Sequence, residues 1–171
     1  FSKLLGDTHQ FVYGSHNVQL HGKNKSNNYY GEDLWGKVCA KYDMVNKIPK
    51  DYIVYGEVYG KGVQDLTYGL DDIDFMAFDV KYKGKYLGWN DLKTFCEEYD
   101  LPMVPVLYVG KFEEDTLEKY TSGKSMICPK QIREGCVIKD FHEKQHKRIG
   151  RKILKSISPD YLLRKNGTEF R

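Results

Sequence analysis

The stretch Ile132-Arg133-Glu134-Gly135-Cys136-Val137-Ile138-Lys139 carries the densest chemical signal in the chain. It sets an acid and a cation, Glu134 and Lys139, at the ends of a short apolar run, with a glycine directly after the acid. Side chains of an extended strand alternate faces, so Cys136 and Ile138 share the face of Glu134 while Val137 and Lys139 point the other way. A carboxylate entering a buried strand is costly unless it meets a cation, a metal or a hydrogen-bonded ligand. Gly135 would let a ligand approach the backbone closely. Taken alone, the segment reads equally well as an edge strand with charged ends. Two further patterns imitate known chemistry. His142-Glu143-Lys144-Gln145-His146 satisfies HExxH, in which two histidines on one helix face bind zinc and the glutamate activates water. Its setting is wholly charged and no clear third ligand follows, so a solvated loop is the better expectation. Gly123-Lys124-Ser125 imitates the end of a phosphate-binding loop, but Glu118 replaces the earlier glycine that the motif requires.

The elements that must position these residues are read in chain order. Phe11-Val12-Tyr13 predicts a short strand running into the turn Gly14-Ser15-His16-Asn17, and the Gly, Lys, Asn and Ser between Gly22 and Asn28 predict a polar loop. From Asp33 to Tyr42, Leu34, Trp35, Val38 and Cys39 recur at helical spacing. Pro49 and Asp51 break the chain before a β-branched and aromatic strand, Tyr52 to Gly60, which carries Glu57 in its middle. A second strong strand is expected from Ile73 to Val80, and Gly84 turns it into Lys85-Tyr86-Leu87. Asn90 and Asp91 are placed to cap a helix running to Tyr99 with Leu92, Phe95 and Cys96 on one face. Val104 to Tyr108 predicts a strand, Glu113 to Tyr120 a helix, and Tyr161 to Arg164 a final helical turn. Strands outnumber helices and neighbours are often hairpin-linked, so the fold class is α+β, with antiparallel sheets and flanking helices.

Composition narrows the function classes. The 171 residues suit one domain with a real core, and 40% hydrophobic with 30% charged residues describe a globular chain, not a disordered one. A net charge of +3 is too small to impose a nucleic-acid partner through a global field, so any phosphate-binding surface is local. Cys39, Cys96, Cys128 and Cys136 form no CxxC pair, which favours free thiols and an intracellular, cytoplasmic setting. No apolar run approaches membrane-spanning length. The chain starts at Phe1 and ends in Gly167-Thr168-Glu169-Phe170-Arg171, and it reads as a single domain, residues 1–171, of a longer protein.

Four segments then fall in order: Gly14-Ser15-His16-Asn17; Tyr55-Gly56-Glu57-Val58-Tyr59-Gly60 followed by Gly62-Val63-Gln64; Asp74-Phe75-Met76-Ala77-Phe78-Asp79; and Arg133-Glu134-Gly135 through Lys139, followed by Arg151-Lys152-Ile153-Leu154-Lys155. Together they resemble the ATP-dependent RNA ligases of the covalent nucleotidyltransferase superfamily. The GEVYG-x-GVQ and REG-x-VIK forms are most similar to the deinococcal-type branch, and the likeness runs from about Phe11 to Arg164. The resemblance implies a nucleotidyltransferase (ATP-grasp-like) domain that handles ATP or AMP with Mg2+ or Mn2+. It also implies an RNA partner bearing 5′-phosphate and 3′-hydroxyl ends, nicked duplex being one candidate, in RNA repair by a monomeric enzyme. Such enzymes form a lysyl-AMP, pass the AMP to the RNA 5′-phosphate and seal the strand. By the same resemblance Phe78 matches the adenine-stacking position, Glu57 and His16 the ribose contacts, Lys139 and Lys155 the cations at the α-phosphate, and Glu134 the carboxylate of the metal shell. Two departures accompany it. The nucleophilic lysine of such enzymes would stand before Phe1, since Gln19-Leu20-His21-Gly22 has glutamine where it belongs. His16 and Ile157 stand where arginine and a second lysine are usual. The alternatives are a non-catalytic nucleotide- or RNA-binding module of ligase descent and, on the HExxH match alone, a zinc hydrolase. Without the other segments, Glu57 would be a structural acid, Phe78 plain core and Lys152 a solvated surface lysine.

Overall fold

The computed structural model describes residues 2–5, 10–15, 19–20, 32–63 and 66–164. Its centre is the pair of long strands that the sequence marks most strongly. Strands β1 (Ser2–Leu5), β2 (Gln10–Gly14), β3 (Gln19–Leu20), β4 (Tyr52–Gly60), β5 (Ile73–Tyr82) and β6 (Lys85–Tyr86) form one sheet in the order β3-β2-β1-β4-β5-β6. All its strand pairs are antiparallel. One face buries Val54 and Val58 of β4 with Ile73, Phe75, Ala77 and Val80 of β5. Helices α1 (Leu34–Lys41) and α3 (Trp89–Glu98) cover it with Leu34, Val38 and Cys39 and with Leu92, Phe95 and Cys96. The short α2 (Met44–Lys47) adds Met44. Asp33 caps α1 by accepting from the Gly36 N–H at 2.9 Å, while its other oxygen accepts from the Tyr13 hydroxyl of β2, so one carboxylate both starts the helix and ties it to the sheet.

The inward positions of β5 run 73, 75, 77 and then 80. The period of two slips by one residue, and the pairing with β4 slips at the same place: Gly56 opposes Ala77 and Tyr55 opposes Asp79, leaving Phe78 as the extra residue of a β-bulge. Beyond the slip, Asp79 shares the outer face with Tyr55, and Tyr55 shares it with Glu57.

A second, smaller layer contains β7 (Gly135–Lys139) paired with β10 (Ile153–Ile157), and the hairpin β8 (Gln145–His146) with β9 (Gly150–Arg151). Helix α4 (Glu114–Thr121) lies on one face of the β7–β10 pair, where Thr121 Oγ1 meets Ser156 Oγ at 2.7 Å. Arg133 satisfies the end of that helix, donating to the carbonyls of Tyr120, Ser122 and Lys124. The one-turn α5 (Pro159–Leu162) follows β10.

Five local expectations are corrected. Helix α3 begins after Gly88, not at an Asn90 or Asp91 cap, because the Trp89 N–H is taken by the Phe141 carbonyl at 2.8 Å. No strand forms over residues 104–108: Pro102 and Pro105 lack donors, and pairing with β5 is confined to an isolated parallel bridge at Met103, opposite Ala77, beside which Val104 N–H donates to the Ala77 carbonyl at 3.0 Å. Residues 145–151 form the β8–β9 hairpin where a solvated loop was expected, and the final helical turn starts at Pro159 and ends at Leu162. The space beside Gly135 belongs to the protein itself. With φ at +153°, an added Cβ would lie 2.0 Å from the Ser156 carbonyl oxygen, so β10 imposes the glycine rather than a ligand. Gly135→Ala is therefore expected to lower unfolding stability by about 1–3 kcal/mol in urea titration. A variant as stable as the parent would show that β7 and β10 pair less closely than this.

Candidate functional site

The outer face of the large sheet meets the small layer at one buried carboxylate. Asp79 is only 4% exposed. Burying a lone charge of that kind costs several kcal/mol, and three charge-assisted bonds offset it. Lys139 Nζ of β7 donates to Oδ1 at 2.7 Å, and Arg151 of β9 donates through Nη2 to Oδ1 at 2.7 Å and through Nη1 to Oδ2 at 2.8 Å. The Arg151 Nε also donates to Glu143 Oε2 at 2.6 Å, and its guanidinium lies 3.7 Å from the centroid of the Tyr86 ring. Two acids and two cations make a neutral cluster. Burial works against the Arg151 charge, but the bonds to Glu143 and Asp79 outweigh it and raise the guanidinium pKa above its ordinary value.

Around this cluster the sequence-predicted residues take definite places. Lys139 Nζ also donates to the Phe78 carbonyl at 2.7 Å, so the bulge residue and its acidic neighbour hold one lysine together. Phe78 is half-buried and Glu57 is exposed on the outer face of β4. In the β7–β10 pair Lys155 opposes Val137 and Ile153 opposes Lys139, which places Val137, Lys139, Ile153 and Lys155 on one face. Helix α4 covers the other face. Val137 is 55% exposed, and Lys155 is exposed with no hydrogen bond or ion pair among the described residues. Glu134 precedes β7, and the unusual φ of Gly135 breaks simple alternation there. Its Oε1 accepts from the Tyr68 hydroxyl and its backbone carbonyl accepts from Ser158 N–H at 2.9 Å. His16 lies outside the described residues.

Several participants were missed from sequence. Asp79 draws no attention of its own in the sequence, although the slip from position 77 to 80 in the apolar pattern signals that the chain re-aims there. Val137, Tyr68, Tyr86 and Arg151 carry no local mark. The HExxH segment receives a different meaning. It spans a turn and the β8 strand instead of a helix, and Glu143 is ion-paired to Arg151. That geometry, with the would-be water-activating glutamate held by a guanidinium and the two histidines not on one helix face, argues against the zinc-hydrolase alternative. All four cysteines are free thiols, and burial pushes Cys39 and Cys96 up to about 11. No helix among the described residues is long and apolar enough to cross a membrane. A concavity of about 550 Å3 beside α3, bounded by Tyr42, Trp89, Lys93, Leu101 and Met103, contains none of the predicted site residues.

Comparison with known proteins bears on the family and the fold. A sequence profile described as RNA ligase matches residues 4–157. No curated protein sequence matches significantly. Solved structures of an RNA ligase from Naegleria gruberi share the fold. A mutant with AMP and Mn superposes with a TM-score of 0.68 at 19% identity, over 88% of this chain and 46% of that one. A second mutant with ATP and Mn gives 0.68 at 18% identity over 88% and 47%, and a form with PPi gives 0.65 at 19% over 88% and 46%. The chain thus spans less than half the length of these ligases.

The cluster makes a quantitative prediction. Asp79→Ala leaves Lys139 and Arg151 facing each other without their shared carboxylate, and it should cost about 3–5 kcal/mol in chemical denaturation. A loss below 1 kcal/mol would mean that the two layers are not joined through this side chain.

Proposed function

The chain belongs to the RNA ligase family, and on that premise we propose that it is the nucleotide-handling domain of an ATP-dependent ligase of the deinococcal type. In this reading the enzyme joins RNA 5′-phosphate and 3′-hydroxyl ends through lysyl-AMP and RNA-adenylate intermediates, acts as a cytoplasmic monomer in RNA repair, and accepts nicked duplex among its substrates. The nucleophilic lysine belongs to a segment N-terminal to Phe1 in the longer protein. The observation that carries the reading is the contact from Lys139 Nζ to the Phe78 carbonyl, because it turns the uncovered face of β7 and β10 toward the bulged aromatic.

The residues fit a bound adenine nucleotide. Phe78 offers a ring, Val137 offers exposed apolar surface on the facing layer, and Glu57 stands exposed on the same sheet for a ribose hydroxyl, with His16 as a second ribose contact. Lys139 spends two of its three N–H donors on Asp79 and Phe78, which leaves one for a phosphate oxygen. Lys155, without a partner among the described residues, is the cation available to the α-phosphate. Fixed cations near a developing phosphate charge in a partly desolvated cleft favour in-line transfer. The residues also fit Mg2+ or Mn2+ in a limited sense. One carboxylate, Glu134, is available and no protein cage is present among the described residues. That suits an ion held largely by phosphate oxygens and water. When bound, such an ion supplies charge neutralisation to the phosphates.

Incubating the full-length protein with labelled ATP and Mg2+ should place AMP on a lysine N-terminal to Phe1. Lys155→Ala should abolish transfer of that label to RNA, while Lys144→Ala, in exposed polar sequence, should leave it nearly unchanged. Phe78→Leu should weaken AMP binding about fivefold, the equivalent of about 1 kcal/mol of lost stacking. A full-length protein that binds ATP and stays unlabelled would favour the non-catalytic binding module instead, and equal losses at Lys144 and Lys155 would refute the shared phosphate site.

A further inference from the structure

Glu134 is held by its backbone from two sides. Its carbonyl accepts from Ser158, and the preceding Arg133 is fixed by three carbonyls at the end of α4. What remains variable is the side chain. One of its oxygens, Oε1, accepts from the Tyr68 hydroxyl across 66 positions of sequence, and Oε2 accepts nothing from the described residues. A carboxylate pinned by one oxygen presents the other in a defined direction.

Tyr68 is itself unusually well anchored. Its N–H donates to Gln131 Oε1 at 3.0 Å, and its ring meets the buried Tyr59 ring edge-on, with centroids 5.6 Å apart and planes at 87°. It occupies the turn Thr67-Tyr68-Gly69-Leu70, closed by Leu70 N–H donating to the Thr67 carbonyl at 3.0 Å, with φ of +53° at Tyr68 and +76° at Gly69. A turn with two positive φ values favours Asn, Asp or Gly at its first centre, and a bulky aromatic there is an outlier. The surroundings hold the backbone in that region and thereby aim the phenol at Glu134.

We propose that Tyr68 is a positioning residue for Glu134, orienting the carboxylate for the metal shell of the bound nucleotide; this rests on the RNA ligase reading given above. Ligand-holding carboxylates are commonly themselves hydrogen-bonded, and losing that outer contact costs about tenfold or more in metal affinity or activity. A hydroxyl donor is what the role requires, because the ring alone would serve packing against Tyr59 equally well.

The test removes the hydroxyl and keeps the ring. In the full-length protein, Tyr68→Phe should leave the melting temperature of the nucleotide-free form and its metal-free affinity for AMP as in the parent. It should weaken Mn2+ binding to the AMP complex about tenfold, read by titration calorimetry or the Mn2+ paramagnetic resonance signal. The Mn2+ concentration needed for adenylate transfer should rise in parallel. In a Glu134→Ala background, Tyr68→Phe should add nothing, since the two act as one unit. Unchanged Mn2+ binding in Tyr68→Phe, with Glu134→Ala still impaired, would overturn the positioning role alone. So would a loss of melting temperature and metal-free AMP affinity with parental Mn2+ dependence, which would reduce Tyr68 to packing. Parental Mn2+ dependence in Glu134→Ala would remove the role assigned to Glu134, and this inference with it.

Discussion

The burial of Asp79 is the constraint on which the arrangement of the two layers depends. A carboxylate at 4% exposure is untenable without cations, and the cations come from two different strands of the small layer, Lys139 on β7 and Arg151 on β9. Replacing such a cluster with well-packed apolar groups is often neutral for stability. Its distinctive consequence here is position. Lys139 cannot satisfy Asp79 without also standing beside the carbonyl of Phe78, so the bonds that neutralise the acid also set how closely the open face of β7 and β10 approaches the bulged aromatic.

The bulge makes that coupling possible. In a regular β5, continued alternation from Ile73, Phe75 and Ala77 would direct residue 79 into the apolar core. One extra residue moves Val80 to the inward position and Asp79 to the outer face with Tyr55. The small layer has a corresponding division. Its Cys136 and Ser156 face is covered by α4, while Val137, Ile153 and Lys155 stay exposed opposite the sheet. Apolar surface, a cation without a described partner and a half-buried ring on two tethered layers are the features on which the proposed nucleotide site rests. The chain spans less than half of the Naegleria ligases that share its fold, so the ligation reaction itself is a property proposed for a longer protein.

Local periodicity made much of the scaffold legible. Strands β4 and β5 and helices α1 and α3 announce themselves through alternation or helical spacing, and the Gly84 turn into β6 through its glycine. Legibility failed where distant atoms decided the outcome. The start of α3 depends on the carbonyl of Phe141, and Asp79 finds its partners 60 and 72 positions away. Glu143 was concealed inside a metal-like pattern while its real partner, Arg151, came from the return strand of a hairpin. The failure at residues 104–108 was readable in hindsight, since Pro102 and Pro105 remove the donors a strand needs. Glu134 and Lys139 stand out by type and position, but the roles of Glu57, Phe78, Glu134, Lys139 and Lys155 rest on family resemblance, and spacing alone does not separate them from structural residues.

A crystal structure of the domain with AMP and Mn2+ would test the central claim most directly. The account places the adenine between Phe78 and Val137, the phosphate within reach of Lys155, and the Lys139–Asp79 pair unbroken beneath the nucleotide. AMP lodged instead in the concavity between Trp89 and Met103, or bound with Lys139 pulled away from Asp79, would contradict it.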